Sequence, residues 1–137
     1  PIPLISIVEV CAEEARRQRL RRPLLLGARF TMEGPFYLTV FRRSDIEIVT
    51  PEESDRAWIH DVYVNQMIQG EFRDDTRRRF VDFVAHLRDT RGIDAVILGG
   101  TELPILLRES TIAGLPALDT TALHVDAIIA RLRAPSR

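Results

Sequence analysis

Four short strand-like runs, each bounded by chain breakers and separated by stretches of helical periodicity, set what this chain can fold into. They are Leu24-Leu25-Leu26, Ile46-Glu47-Ile48-Val49, Ala95-Val96-Ile97-Leu98 and the run 115–118. A strand that is apolar on both faces must be covered on both faces. Helices placed between such strands give right-handed crossovers onto a parallel sheet. The expected fold class is therefore α/β, an open, mostly parallel four-stranded sheet with helices on both faces.

The helical segments carry their own boundary signals. Ser6 with Glu9 three positions on is a capping-box pattern, and Val8, Cys11, Ala12 and Ala15 keep one face apolar, which predicts a helix over 6–20. After Gly27 the loop 27–31 feeds a short helix reaching about residue 43. Thr50-Pro51-Glu52-Glu53 reads as a capped start with proline at the first position, for a helix carrying Trp58, Ile59, Val62, Tyr63 and Met67 and ending near Gly70. Asp74 or Asp75 is expected to cap the next, with Phe80, Val81, Val84 and Leu87 inward and Gly92 as its stop. Thr101 would cap a helix with Pro104 in its tolerated first turn. Thr120 or Thr121 would cap the last, with Val125, Ile128, Ile129 and Leu132 as its apolar face. With no repeat or linker, 1–137 reads as a single α/β domain, ordered from about 5 to 133 and frayed over 134–137.

Composition excludes several function classes. A length of 137 residues with 45% hydrophobic content closes a real core, which rules out a disordered chain and a membrane span. Nineteen basic residues against twenty acidic ones, a formal charge of -1, speak against nucleic acid or an anionic membrane as partner. All nineteen are arginine, so a Schiff-base lysine and a P-loop lysine are both excluded. Cys11 is the single cysteine and no His/Cys spacing suits zinc, so no metal and a reduced, cytoplasmic compartment are expected. The opening Pro1-Ile2-Pro3, with neither Met nor leader pattern, is what the interior of a longer protein would present.

In an open parallel sheet, ligands bind beyond the carboxyl ends of the strands. That rule selects the loops 27–31, 99–102 and 119–121, each leading into a helix start whose N–H groups and hydroxyls suit a carboxylate or phosphate. For Thr31, Thr101, Thr120 or Thr121 taken singly, capping worth about 1 kcal/mol is the simpler explanation. Their clustering on one sheet edge makes them site candidates. Gly99-Gly100 is explained by close backbone approach or positive φ. His124 reads either as a surface histidine or as an acid, base or carboxylate partner. His60 and His86 read as ordinary surface or boundary residues. Arg29 and Arg73, near element ends, are the candidates for a bidentate carboxylate clamp. Arg77-Arg78-Arg79 beside Asp74, Asp75 and Asp82 reads as a solvated helix face, and Cys11 as an inert small hydrophobe.

Three segments occur in an order that identifies a relationship. They are Leu25-Leu26-Gly27-Ala28-Arg29-Phe30-Thr31-Met32-Glu33 with Phe36-Tyr37, then Ala95-Val96-Ile97-Leu98-Gly99-Gly100-Thr101-Glu102-Leu103, then Asp119-Thr120-Thr121-Ala122-Leu123-His124. Together with Ser6-Ile7-Val8-Glu9, they make nearly the whole chain resemble the C-terminal half of the aspartate/glutamate racemase family. The resemblance implies two similar α/β halves with the active site between them, and cofactor-independent inversion of an acidic amino acid. One thiol from each half would face opposite sides of the α-carbon, one removing a proton and the other returning one. Backbone amides and hydroxyls would share the developing charge.

Two departures shape the expectation. The family's first half has no counterpart here, and its second-half thiol, in a Leu-Gly-Cys-Thr-Glu stretch, aligns with Gly100. A racemase-like protein is expected, inactive as this chain alone, that binds a small acidic amino acid or dicarboxylate through Thr31, Thr101 and Glu102, with Arg73, Thr121 and His124 close by. Either a homo-oligomer or pairing with the N-terminal half is implied. The alternatives are a non-catalytic module for an acidic metabolite and a one-thiol isomerase or decarboxylase of small diacids. Aspartate against glutamate stays open, since one methylene is read by pocket shape.

Overall fold

Successive residues of a strand face opposite sides of its sheet, and here both sides are packed. The computed structural model describes residues 6–134. In β1 (Pro23–Gly27), Leu24 and Leu26 enter one core and Leu25 the other; in β2 (Ala95–Gly99), Val96 and Leu98 enter the first, Ala95 and Ile97 the second. The first core is closed by Ile59 and Val62 of α4 (Glu53–Val62), Phe80 and Val84 of α5 (Asp74–Arg91) and Leu103 of α6 (Leu103–Leu106). Trp58 packs on it, its ring 5.0 Å from that of Phe80, with the Arg79 guanidinium 4.0 Å above. The second core is closed by Cys11, Ala12 and Ala15 of α1 (Ile7–Arg17) and by Tyr37 and Phe41 of α3 (Phe36–Arg42).

The sheet has four strands in the order β1-β2-β4-β3. β1 and β2 run parallel with Leu24 opposite Val96, and β2 and β4 (Leu115–Asp119) run parallel with Leu98 opposite Asp119. The expected architecture is thus found, with one substitution among its strands. The run 46–49 forms no full strand: it makes a parallel bridge from Val49 to Leu24, through Leu25 N–H to Val49 O and Val49 N–H to Pro23 O, both at 2.9 Å, with Glu47 N–H donating to Arg21 O at 3.0 Å. Pro51, which lacks a donor, follows at once and the chain leaves the sheet edge. The fourth strand is instead β3 (Thr111–Ile112), antiparallel to β4. Its two-residue turn has φ 51° at Ala113 and 81° at Gly114, the doubly left-handed turn that matches strand twist.

Helix boundaries differ where caps and prolines compete. α1 keeps its cap, Glu9 N–H donating to Ser6 Oγ at 3.2 Å, but stops at Arg17. The helix expected up to residue 43 is two, α2 (Arg29–Glu33) and α3, broken at Gly34-Pro35. α4 begins after Glu52, so Pro51 precedes the helix, and a π-helical turn, Tyr63–Met67, extends it. Arg73 takes the cap position of α5, while Gly92 ends that helix at φ 66° as expected. Glu102, not Thr101, takes the cap position of α6. Asp119 caps α7 (Thr120–Arg133), accepting from Ala122 N–H at 3.0 Å, in place of Thr120 or Thr121. The expected fraying of 135–137 lies outside the described residues.

α7 also turns its expected inward stripe outward. It buries Thr120 and rests Leu123 on the second core beside α1. Val125, Ile128, Ile129 and Leu132 are 47%, 36%, 40% and 63% exposed. Their spacing marks an apolar face, but the spacing says nothing about what covers it.

The start of β1 is tied to β2 by one carboxylate. Asp94 accepts from the N–H groups of Arg21 at 2.6 Å and Arg22 at 3.0 Å. Charge-assisted bonds of this kind contribute about 1.5–3 kcal/mol each. Because water can replace the lost acceptor at this partly exposed place, Asp94→Ala is expected to lower stability by less than that sum, about 1–3 kcal/mol in urea unfolding.

Candidate functional site

The carboxyl ends of β1, β2 and β4 open onto a cavity of about 320 Å³. All three loops selected from the sequence meet there: Thr31 from the first, Gly99, Gly100 and Thr101 from the second, Thr120 and Thr121 from the third. The remaining wall is apolar or aromatic, from Ile7 and Val8 of α1 and from Phe30, Phe36 and Tyr37. Two glycines let the strand ends close together. A Cβ at Gly27 would stand 2.9 Å from Gly99 O and 2.9 Å from Thr31 Cβ, and one at Gly99 would stand 2.8 Å from Leu26 O.

The threonines are not equivalent. Thr120 is 2% exposed and its hydroxyl donates to Leu98 O at 3.0 Å, which fastens α7 to the end of β2. Thr31, Thr101 and Thr121 remain as wall hydroxyls. Glu102 is not on the wall but is bonded to it. Its Oε2 accepts from the Thr101 hydroxyl at 2.7 Å, and its Oε1 accepts from the Tyr63 hydroxyl at 2.6 Å. These two donors, Tyr63 foremost, hold the Glu102 carboxyl below its ordinary range. Burial and the neighbouring Glu102 push the Tyr63 phenol up, so it stays protonated. A Cβ built at Gly100 would overlap the Tyr63 hydroxyl and lie 3.1 Å from its Cζ.

The charged candidates are elsewhere. Arg73 stands exposed at the start of α5 and grips both oxygens of Asp75 at 2.9 Å. Arg29 donates to Glu33 at 2.7 Å and to Glu53 at 3.0 Å, and its own N–H donates to His60 Nδ1 at 3.0 Å. Both arginines clamp carboxylates of this chain, and neither lines the cavity. His124 is half-buried on α7, a turn past Thr120, and off the wall. Cys11 is fully buried, its thiol pushed up to about 12 by burial and then by Glu14, in agreement with an inert role. Among the described residues no group of three or more His, Cys, Asp or Glu could hold a metal ion. No helix among them is long and apolar enough to cross a membrane.

Sequence reasoning missed Tyr37 and Tyr63. Tyr37 forms part of the wall, its phenol pushed up to about 12 mainly by burial. In the sequence it stands out only within the Phe36-Tyr37 stretch of the family resemblance, with no role attached. Tyr63 reaches Gly100 and Glu102 across 39 residues of sequence, a contact that no local pattern encodes.

Residues 1–128 match the family described as Asp/Glu/hydantoin racemase. The chain belongs to this family. Solved structures of the same fold include an aspartate racemase homologue from Pyrococcus horikoshii OT3, with TM-score 0.85 and 27% identity over 93% of this chain and 55% of that one. A putative Asp/Glu racemase from Yersinia pestis gives TM-score 0.84 and 28% identity over 96% and 57%. The aspartate racemase of Picrophilus torridus, at 21% identity and TM-score 0.65 over 91% and 51%, shares the fold. The chain thus spans just over half the length of these racemase structures.

For this racemase-family chain, the buried Cys11 thiol makes a direct prediction. A rise from the ordinary 9.0 to about 12 lowers the thiolate fraction of Cys11 on the order of a thousandfold near pH 8. A disulfide reagent should therefore label Cys11 at that pH at least about a hundredfold more slowly in the folded chain than in urea.

Proposed function

We propose that this chain supplies the ligand-binding side of an aspartate/glutamate-racemase-like site, and that the proton-transfer groups lie outside it. The observation that carries this reading is the convergence of three strand-end loops on one cavity whose wall has hydroxyls and amides but no group titrating near neutrality. Removing an α-proton takes a base whose pKa lies near the working pH. Cys11 is fully buried and is not part of the cavity wall, and Gly100 has no side chain, its space being held by Tyr63. What remains is binding: Thr31, Thr101 and Thr121 around a small acidic amino acid, with Glu102 acting through Thr101. Arg73 and His124 have no part in this reading.

In the whole protein the reaction would be cofactor-independent inversion at the α-carbon. Its N-terminal half would cover the stripe of Val125, Ile128, Ile129 and Leu132, and close the cavity over Phe30 and Phe36, which are 79% and 62% exposed. The length of the relatives supports that partner. A non-catalytic module for an acidic metabolite is the second reading, favoured by the same lack of a titrating group on the wall.

Two measurements test this. In deuterated solvent, the 137-residue chain should leave the α-hydrogen of L- and D-aspartate and glutamate unexchanged, while aspartate shifts the NMR signals of the Gly99, Gly100 and Thr101 amides. Exchange at the α-carbon would overturn the assignment of the proton-transfer groups, and absence of shifts would overturn the binding site. In sedimentation, the chain should self-associate with rising concentration. Ile128→Glu with Leu132→Glu should weaken that association by at least about tenfold.

A further inference from the structure

We propose that Tyr63, through Glu102, fixes Thr101 as a hydrogen-bond acceptor for the ammonium group of an amino-acid ligand, which makes Tyr63 a positioning residue of the cavity. The inference rests on the cavity being the ligand site. It begins with Gly100, whose backbone is not left-handed, unlike Gly70, Gly92 and Gly114. Conformational freedom therefore does not account for this glycine, but space does. A Cβ there would meet the Tyr63 hydroxyl, with ring atoms Cζ and Cε2 at 3.1 and 3.3 Å.

The hydroxyl that takes this space is 6% exposed as part of its residue and sits at the head of the π-helical turn, whose mark is Ile68 N–H donating to Tyr63 O at 2.9 Å. Turns of that kind recur at functional sites. A buried phenol needs an acceptor, and Glu102 Oε1 provides one. An ionised carboxylate only accepts. The bond from Thr101 to Glu102 Oε2 therefore consumes the only proton of the Thr101 hydroxyl. Its remaining lone pairs are acceptors, and Thr101 is on the cavity wall. An acceptor backed by a carboxylate suits an ammonium donor and has nothing to offer a carboxylate. This device would tell an α-amino acid from the dicarboxylate of the same length.

The test compares L-aspartate with succinate on the 137-residue chain by calorimetry. The chain should bind aspartate at least about tenfold more tightly than succinate. Tyr63→Phe should bring that ratio near one, mainly by weakening aspartate. Glu102→Gln should do the same, because its amide can donate and let Thr101 turn its proton into the cavity. An unchanged ratio in both variants, with both ligands still bound, overturns this inference and leaves the binding site standing. Binding of neither ligand by the unaltered chain overturns both. The shared space has its own test: Gly100→Ala should raise the urea unfolding constant at least about tenfold, and Tyr63→Phe in the same chain should remove most of that loss. Additive effects would overturn the packing on which the inference stands.

Discussion

Burial of β1 and β2 on both faces is the constraint from which the remaining features follow. Leu24, Leu25, Leu26, Val96 and Ile97 are all fully buried, so each must be met from above or below by a helix. With both faces closed, the polar backbone can reach a ligand only at the strand ends. There, Gly27 and Gly99 remove the side chains that would hold the loops apart. The cavity is thus a by-product of the same packing that stabilises the sheet, which is why a core pattern points to a site.

Charge is distributed in the opposite sense. Arg29, Arg56, Glu33 and Glu53 form a closed ring of exposed ion pairs, and Arg17, Arg73 and Arg88 each grip a carboxylate near in sequence. Such pairs contribute little to stability individually. Their effect is to neutralise the arginines locally and leave the cavity wall without a formal charge. Asp119 adds to this, since its carboxylate already occupies the helix start that would otherwise attract an anion. A ligand carboxylate would be met by hydroxyls and amides from this chain, and by a cation only from elsewhere.

The sheet and the three loops were legible because they depend on local signals. Apolar runs, the Ser6 cap and the Gly92 stop act within a few residues of themselves. The hairpin was not legible because Ala113, which adopts positive φ, is a residue that seldom does so. The edge run 46–49 failed as a strand through a proline two residues later. For α7, periodicity named the apolar residues correctly, but their side of the helix was decided by Thr120 bonding to Leu98. The arginine candidates lie off the cavity wall because a guanidinium pairs with a nearby carboxylate, and sequence does not rank the neighbours. Tyr63 was the least legible, since its meaning depends on what is missing at Gly100.

That last pairing restricts how this site can change over time. A lineage in which residue 63 is tyrosine gains a side chain at position 100 only by moving the end of that tyrosine, which costs stability and loosens its hold on Glu102. A smaller residue at position 63 lowers that cost, so changes at the two positions are coupled along this surface.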